Sequence, residues 1–151
     1  SIKLLKQAHS TQVLKGILDE TDKFSAAMCN PPFYGSQEEA MMANTRKLTG
    51  LGNENNANLR NFGGKQQELW YKGGEKAFLH TYLYESSMFK TQCFWYSSLV
   101  SKKENVEGMC DSLKKLGATV IKIIPMHQGN KITRIVAWTF LTEQEQKDWK
   151  S

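Results

Sequence analysis

Phe24-Ser25-Ala26-Ala27-Met28-Cys29-Asn30-Pro31-Pro32-Phe33 decides how the rest of the chain is read. Its first six residues carry few polar side chains and read as a strand covered on both faces. An Asn, two prolines and an aromatic follow at the strand's carboxyl end, where ligands sit in an open α/β sheet. The loop is rigid. Pro32 drives Pro31 toward an extended conformation, and neither proline has an N–H to donate.

That combination suits an exocyclic amine held beside a stacked ring. The Asn30 side-chain oxygen and the Pro31 carbonyl offer two acceptors to the two N–H groups of an adenine amine. Phe33 can stack on the base, worth ~1–3 kcal/mol. An adenine amine is a poor nucleophile because its lone pair is delocalised into the ring, and two acceptors favour a more tetrahedral nitrogen. Such chemistry asks for no strong base and no metal, only alignment with an electrophile and preorganised electrostatics. The natural electrophile is the methyl sulfonium of S-adenosylmethionine. The bland reading of the same residues is a rigid Pro-Pro turn with an Asn cap and a core Phe33.

Outward from the loop, Ser36 to Lys47 reads as a helix with Ser36 as N-cap and Glu38 and Glu39 in its first turn. Thr49 to Gly64 is rich in Gly and Asn and reads as a long irregular loop. Gly73-Gly74 introduces a second helix, whose buried face is Phe78, Leu79, Tyr82, Leu83, Ser86 and Phe89. Gln92 to Val100 is an aromatic strand. Asn105 to Leu116 is a third helix with Val106, Met109, Cys110, Leu113 and Leu116 on its apolar face and Gly117 to end it. Thr119 to Ile124 and Ile132 to Leu141 read as strands joined by a turn at Gly129-Asn130. The tail from Thr142 reads as a frayed helix. Upstream, Ile2 to Gln7 reads as a strand, and Val13 to Leu18 is an apolar piece of undecided type. Alternating strands and helices imply an α/β sheet, mostly parallel, finished by an antiparallel hairpin.

Composition sets the remaining bounds. The 151 residues, 40% hydrophobic and 23% charged, suit one domain with a real core. No apolar run approaches the ~20 residues that span a bilayer, and the opening residues lack the apolar core of a secretory leader. A net charge of +5 favours a polyanionic partner. The clusters Arg46/Lys47, Lys102/Lys103 and Lys114/Lys115 read equally well as solvated surface. Cys29, Cys93 and Cys110 form no Cys-x-x-Cys pair and read as free thiols in a reducing cytoplasm. His9, His80 and His127 match no metal spacing. Trp95 and Trp138 read as core aromatics. Arg134 suits a phosphate or a carboxylate, with nothing to choose between them.

Several blocks recur in a fixed order: Met28 to Phe33; Arg46-Lys47 with Gly50-Leu51-Gly52; Asn61-Phe62-Gly63-Gly64 with Gln66 and Glu68-Leu69-Trp70; Gly73-Gly74-Glu75; Trp95 to Ser101; and Gln128-Gly129 with Arg134 and Ala137-Trp138-Thr139-Phe140. In this order they resemble the bacterial RlmF family, adenine-N6 methyltransferases of large-subunit ribosomal RNA. More distantly they resemble the methyltransferase-10-domain RNA adenine methyltransferases. The resemblance covers essentially all of the chain. It implies a Rossmann-like class I methyltransferase sheet, S-adenosylmethionine as cofactor, ribosomal RNA as partner and a cytoplasmic setting, with no membrane and no metal. Asn30 to Phe33 would be catalytic, with Asn30, Ser10 and Thr11 toward the cofactor. Asn61, Phe62, Gly63, Gly64, Arg46, Lys47 and Phe33 would face RNA, while Phe62 and Trp70 read otherwise as loop anchors.

One feature departs from the family's pattern. No strand followed by a Gly-rich turn precedes Asn30, so the element that holds the methionine end of the cofactor is absent. Residues 1–151 are therefore expected to be the C-terminal part of a methyltransferase domain, with an incomplete sheet. Two readings stay open beside RNA methylation. One is methyl transfer to another amine, a DNA adenine or a protein glutamine amide; the other is a non-catalytic RNA-binding module.

Overall fold

A computed structural model describes residues 2–50 and 69–150. Its elements are β1 (Phe24–Cys29), α1 (Gln37–Gly50), α2 (Gly74–Met88), β2 (Cys93–Val100), α3 (Glu104–Leu116), β3 (Val120–Gln128), β4 (Lys131–Thr139) and α4 (Glu143–Lys147). They fall into two compact units, Ser1–Pro31 with Leu79–Ser151, and Pro32–Phe78.

In the first unit the four strands form one sheet in the order β1-β2-β4-β3. β1 and β2 run parallel, with Cys29 opposite Ser98. β2 and β4 are antiparallel, and so are β3 and β4, which close through a two-residue turn at Gly129 and Asn130. The sheet is thus mixed: one parallel pair, then the antiparallel hairpin expected from Gly129-Asn130. Gly129 takes a φ of 59°, which suits a residue without a Cβ.

The core lies where α2 and α3 meet the sheet side chains. Leu79, Tyr82 and Leu83 from α2, Tyr96 and Val100 from β2, Met109 and Leu113 from α3, and Val136 and Trp138 from β4 are all at most 1% exposed. The helical spacing of 79, 82, 83 and 86 puts these residues on one face of α2, as the pattern predicts. Three rings interlock: Tyr82 lies edge-on to Tyr96 and to Trp138, with centroids 6.3 and 5.4 Å away, and Tyr96 stacks on Trp138 at 6.1 Å. A buried indole needs an acceptor. Trp138 Nε1–H donates to Ser86 Oγ at 3.0 Å, and Ser86 donates in turn to the Leu83 carbonyl at 2.7 Å.

Helix ends follow local chemistry. α3 stops at Gly117, whose φ of 97° lets its N–H and that of Ala118 return to the carbonyls of Lys114 and Leu113. α4 is not frayed: Thr142 and Glu145 form a full capping box.

Three further expectations are corrected. Ile2 to Gln7 forms no strand. Extended chain needs a ladder partner for its N–H and C=O groups, and no described strand pairs with this segment. β1 is not covered on both faces, since it is the edge strand among the described residues, with Met28 85% exposed. Trp138 is core, but Trp95 is only half-buried, on the opposite side of the sheet, with the Lys122 ammonium 5.1 Å over its ring.

In the second unit, Ser36 Oγ accepts from the Glu39 N–H at 3.2 Å and caps α1, while Glu39 accepts from the Gly35 N–H at 3.0 Å. Tyr34 forms a parallel bridge with Trp70: the Tyr34 N–H donates to the Leu69 carbonyl, and the Tyr71 N–H to that of Tyr34. Tyr71 then sets its ring edge-on to Phe78 at 5.3 Å.

Candidate active site

β1 delivers Asn30 at its carboxyl end, and the neighbouring strand braces that end. Ser97 Oγ–H donates to the Ala27 carbonyl at 2.9 Å, and Ser98 Oγ points at the Cys29 carbonyl from 3.5 Å. Tyr82 OH in turn donates to the Ser97 carbonyl at 3.3 Å. The last residues before the loop are therefore held through β2 and α2. Asn30 itself is exposed, and its amide makes no hydrogen bond to any described residue. Pro31 is buried and anchors the turn. Pro32 and Phe33 open the second unit, and Phe33 is 54% exposed. This answers the bland reading in part: Phe33 is not a core residue and Asn30 caps nothing among the described residues.

The thiol next to Asn30 in the chain, Cys29, is neutral. Burial pushes the Cys29 thiol up to about 11, against a smaller opposing effect from its hydrogen bond with Ser98. At neutral pH the thiol stays protonated, so it is neither a nucleophile nor a base. Burial raises the Tyr82 and Tyr96 hydroxyls as well, and Cys93, buried, goes to about 11 for the same reason. Among the described residues no group of three or more His, Cys, Asp or Glu gathers as a metal site.

Ser10 and Thr11 lie in an irregular turn before β1, both exposed. Thr11, Gln12 and Lys15 form one wall of an open depression of about 430 Å³, opposite His80, Thr81 and Tyr84 of α2. Asn30 does not line this depression. The hydroxyls of Ser10 and Thr11 and the amide of Asn30 are uncharged donors and acceptors. In hydrogen-bonding type each matches the ribose hydroxyls and adenine nitrogens of S-adenosylmethionine, although only Thr11 of the three lines the depression. None of the three carries a charge to pair with the methionine carboxylate or ammonium.

Arg46 is exposed near the end of α1. Asn61, Phe62, Gly63 and Gly64 lie outside the described residues, as does the side chain of Lys47. Trp70 is half-buried in the Tyr34 bridge, and its indole N–H is buried without a hydrogen-bond partner among the described residues. Arg134 pairs with no carboxylate among the described residues; one guanidinium nitrogen reaches the Ile132 carbonyl at 3.4 Å and the other is buried without a partner.

Two contributors escape the sequence reading. Ser97 acts by donating to the backbone of β1, which only the parallel register reveals, while the Ser98 hydroxyl donates at 3.0 Å to the Leu99 carbonyl and lies 3.5 Å from that of Cys29. Glu85 is 3% exposed and accepts backbone N–H groups from the turn after Thr11. Its place three residues after Tyr82, on the apolar face of α2, was a usable signal.

A family model described as RNA methyltransferase matches residues 1–142. The chain belongs to this family, Methyltransf_10. Among curated Methyltransf_10-like relatives, the ribosomal RNA large subunit methyltransferase F of Shewanella woodyi is 45% identical over 152 residues, covering 91% of this chain and 40% of the relative. The protein of the same name from Flavobacterium johnsoniae is 42% identical, covering 99% of this chain and 48% of the relative. The chain thus spans less than half the length of these relatives. Among solved structures, the hMettl16 catalytic domain in complex with MAT2A 3'UTR hairpin 1 aligns with a TM-score of 0.63 at 24% identity, over 87% of this chain and 44% of that one. The N-terminal domain of human METTL16 in complex with SAH aligns with a TM-score of 0.53 at 22% identity, over 83% of this chain and 36% of that one. At such identity the likeness shows the fold: a Rossmann-like methyltransferase sheet with its antiparallel hairpin.

Proposed function

We propose that this chain is the motif-bearing part of an S-adenosylmethionine-dependent RNA methyltransferase that modifies the N6 amine of an adenine in large-subunit ribosomal RNA, in the cytoplasm. The observation that carries the reading is the Asn30 amide at the carboxyl end of β1, without a hydrogen-bond partner among the described residues and followed directly by Pro31, Pro32 and an exposed Phe33. When bound, the cofactor supplies an electrophilic methyl group on a sulfonium. The chain's own residues hold the acceptor. The Asn30 side-chain oxygen and the Pro31 carbonyl take the two N–H groups of the amine, which fixes the nitrogen and favours its tetrahedral form. Phe33 stacks on the base. The adenine has to be unpaired or flipped out to reach them. With Cys29 protonated beside Asn30, rate enhancement comes from alignment and fixed dipoles and not from a strong base. Ser10 and Thr11 are assigned to the adenosyl end of the cofactor and Arg46 to RNA, as the family resemblance implies; the same assignment for Lys47 and residues 61–64 falls outside the described side chains. The bacterial ribosomal RNA methyltransferase names of the relatives support this substrate class.

The test is transfer of labelled methyl from S-adenosylmethionine to RNA, DNA and protein by the full-length protein, with digestion of the product and mass spectrometry. N6-methyladenosine in 23S ribosomal RNA is the expected product. Label in DNA adenine or in a glutamine amide would replace the substrate assignment, and no label with intact RNA binding would make the chain a binding module.

A further inference from the structure

We propose that Glu85 is the positioning residue for the Ser10–Thr11 turn, acting through the Val13–Lys15 segment that follows it, whose three backbone amides form a nest around the carboxylate. One carboxylate oxygen of Glu85 accepts the N–H of Val13 at 2.8 Å, of Leu14 at 2.5 Å and of Lys15 at 3.3 Å. Successive amides converging on one point make an anion-binding concavity, and here the occupant is a side chain of α2. The carboxylate has no cation beside it: no ion pair involving Glu85 exists among the described residues, although Lys15 contributes its backbone. A charge buried this deeply persists only with full hydrogen bonding, so the amides are what keep Glu85 on the apolar face of α2.

The turn is gripped from its other edge too. Gln7 Nε2–H donates to the Lys15 carbonyl at 2.8 Å and to that of Val13 at 3.4 Å, while Gln7 Oε1 accepts the His9 N–H at 3.1 Å. Amides of residues 13–15 therefore go to Glu85, and carbonyls of 13 and 15 go to Gln7. Ser10 and Thr11 lie in the adjoining turn, closed by the Gln12 N–H to the His9 carbonyl at 3.1 Å, with the Gln7 hold on His9 before it and the Glu85 nest at Val13–Lys15 after it. Charge-assisted bonds to the amides are the stronger clamp. α2 is locked to the sheet by Trp138 and Ser86, so Glu85 transmits a fixed reference from the core to the turn.

The inference rests on the reading that Ser10 and Thr11 face the cofactor, and the experiment separates the two. Wild-type and Glu85→Gln full-length proteins are compared by amide hydrogen exchange over residues 9–18, by calorimetric titration of S-adenosylmethionine, and by steady-state methylation. Gln keeps the shape and one acceptor oxygen but loses the charge. The expected result is faster exchange at residues 13–15 and about tenfold weaker cofactor binding, the size of one lost charge-assisted bond. KM for the cofactor rises in step, kcat at saturating cofactor stays within about twofold, and Glu85→Asp recovers part of the affinity. Faster exchange with unchanged cofactor affinity overturns the positioning role and leaves the cofactor reading standing. Wild-type protein that fails to bind S-adenosylmethionine overturns that reading and this inference with it. Unchanged exchange in Glu85→Gln shows that the nest does not hold the turn and also overturns the inference.

Discussion

Replacing Asn30 with Ala separates catalysis from folding unusually well in this protein. The Asn30 side chain is exposed and makes no hydrogen bond among the described residues. Its truncation strands no buried partner, opens no cavity, and leaves the backbone bracing from Ser97 and Ser98 in place. Stability should change by no more than about 0.5 kcal/mol, the range for surface positions without special roles. The effect on the reaction is of a different order. One of the two acceptors that orient the amine disappears, and loss of a single preorganised hydrogen-bonding group at a reacting centre costs about 10²–10³ in rate, or roughly 2.7–4 kcal/mol. The remaining acceptor, the Pro31 carbonyl, cannot be deleted by mutation and should sustain the residual rate. The assay is single-turnover methyl transfer to the RNA substrate at saturating cofactor, alongside urea denaturation and RNA affinity. The expected pattern is a rate down at least about a hundredfold, with an unchanged denaturation midpoint and RNA affinity within about threefold. A rate loss below about tenfold refutes the two-acceptor arrangement. So does a large rate loss that tracks a lowered midpoint, since Asn30 would then be structural.

Further predictions follow the same geometry. Phe33→Ala should weaken base placement by ~1–3 kcal/mol in KM for RNA or in kcat, while Phe33→Tyr should be tolerated because the ring face is kept; equal loss in both variants contradicts stacking, and RNA kinetics reads it directly. Trp138→Phe removes a fully buried indole and its bond to Ser86, and should cost about 2 kcal/mol in urea unfolding at constant m. Alkali should destabilise the fold in a defined window. The thiols of Cys29 and Cys93 rise from 9.0 to about 11 on folding, so the unfolded chain gives up these protons first. Stability is then at its full value below pH 9 and falls as the pH rises from 9 toward 11. A flat profile across that window, measured by urea titration, contradicts the burial of these thiols.

Much of this architecture is local and was therefore legible. The run from Phe24 to Cys29, the 79/82/83/86 stripe of α2 and the Gly129-Asn130 turn each announce their element within a few residues, and each forms. What was not legible depends on partners far away in sequence. Ile2 to Gln7 has strand composition, but composition cannot supply a ladder neighbour. Trp95 and Trp138 are alike as residues, yet β2 and β4 set them on opposite faces of the sheet. The position of Glu85 beside the apolar stripe of α2 marks it as unusual for a charge, but its partners, the amides of residues 13–15 some seventy positions away, are not readable from the sequence. The Thr142 to Glu145 capping box was available in the sequence as a spacing signal. At the candidate site, Asn30 and Phe33 stood out as residue types, whereas the bracing by Ser97 and Ser98 exists only through the parallel register.

That register has a mechanical consequence. β1 behaves as a beam clamped along one side: among the described residues its only ladder is with β2. The height and tilt at which Asn30 leaves the sheet are dictated by Ser97 and Ser98, and these strands are in turn levelled by β4, where Ser98 sits opposite Val136. A disturbance at Trp138, two residues further along β4, can reach the amine-holding loop across two ladders without touching any ligand. Alignment at the loop is thus inherited from the stiffness of the aromatic core.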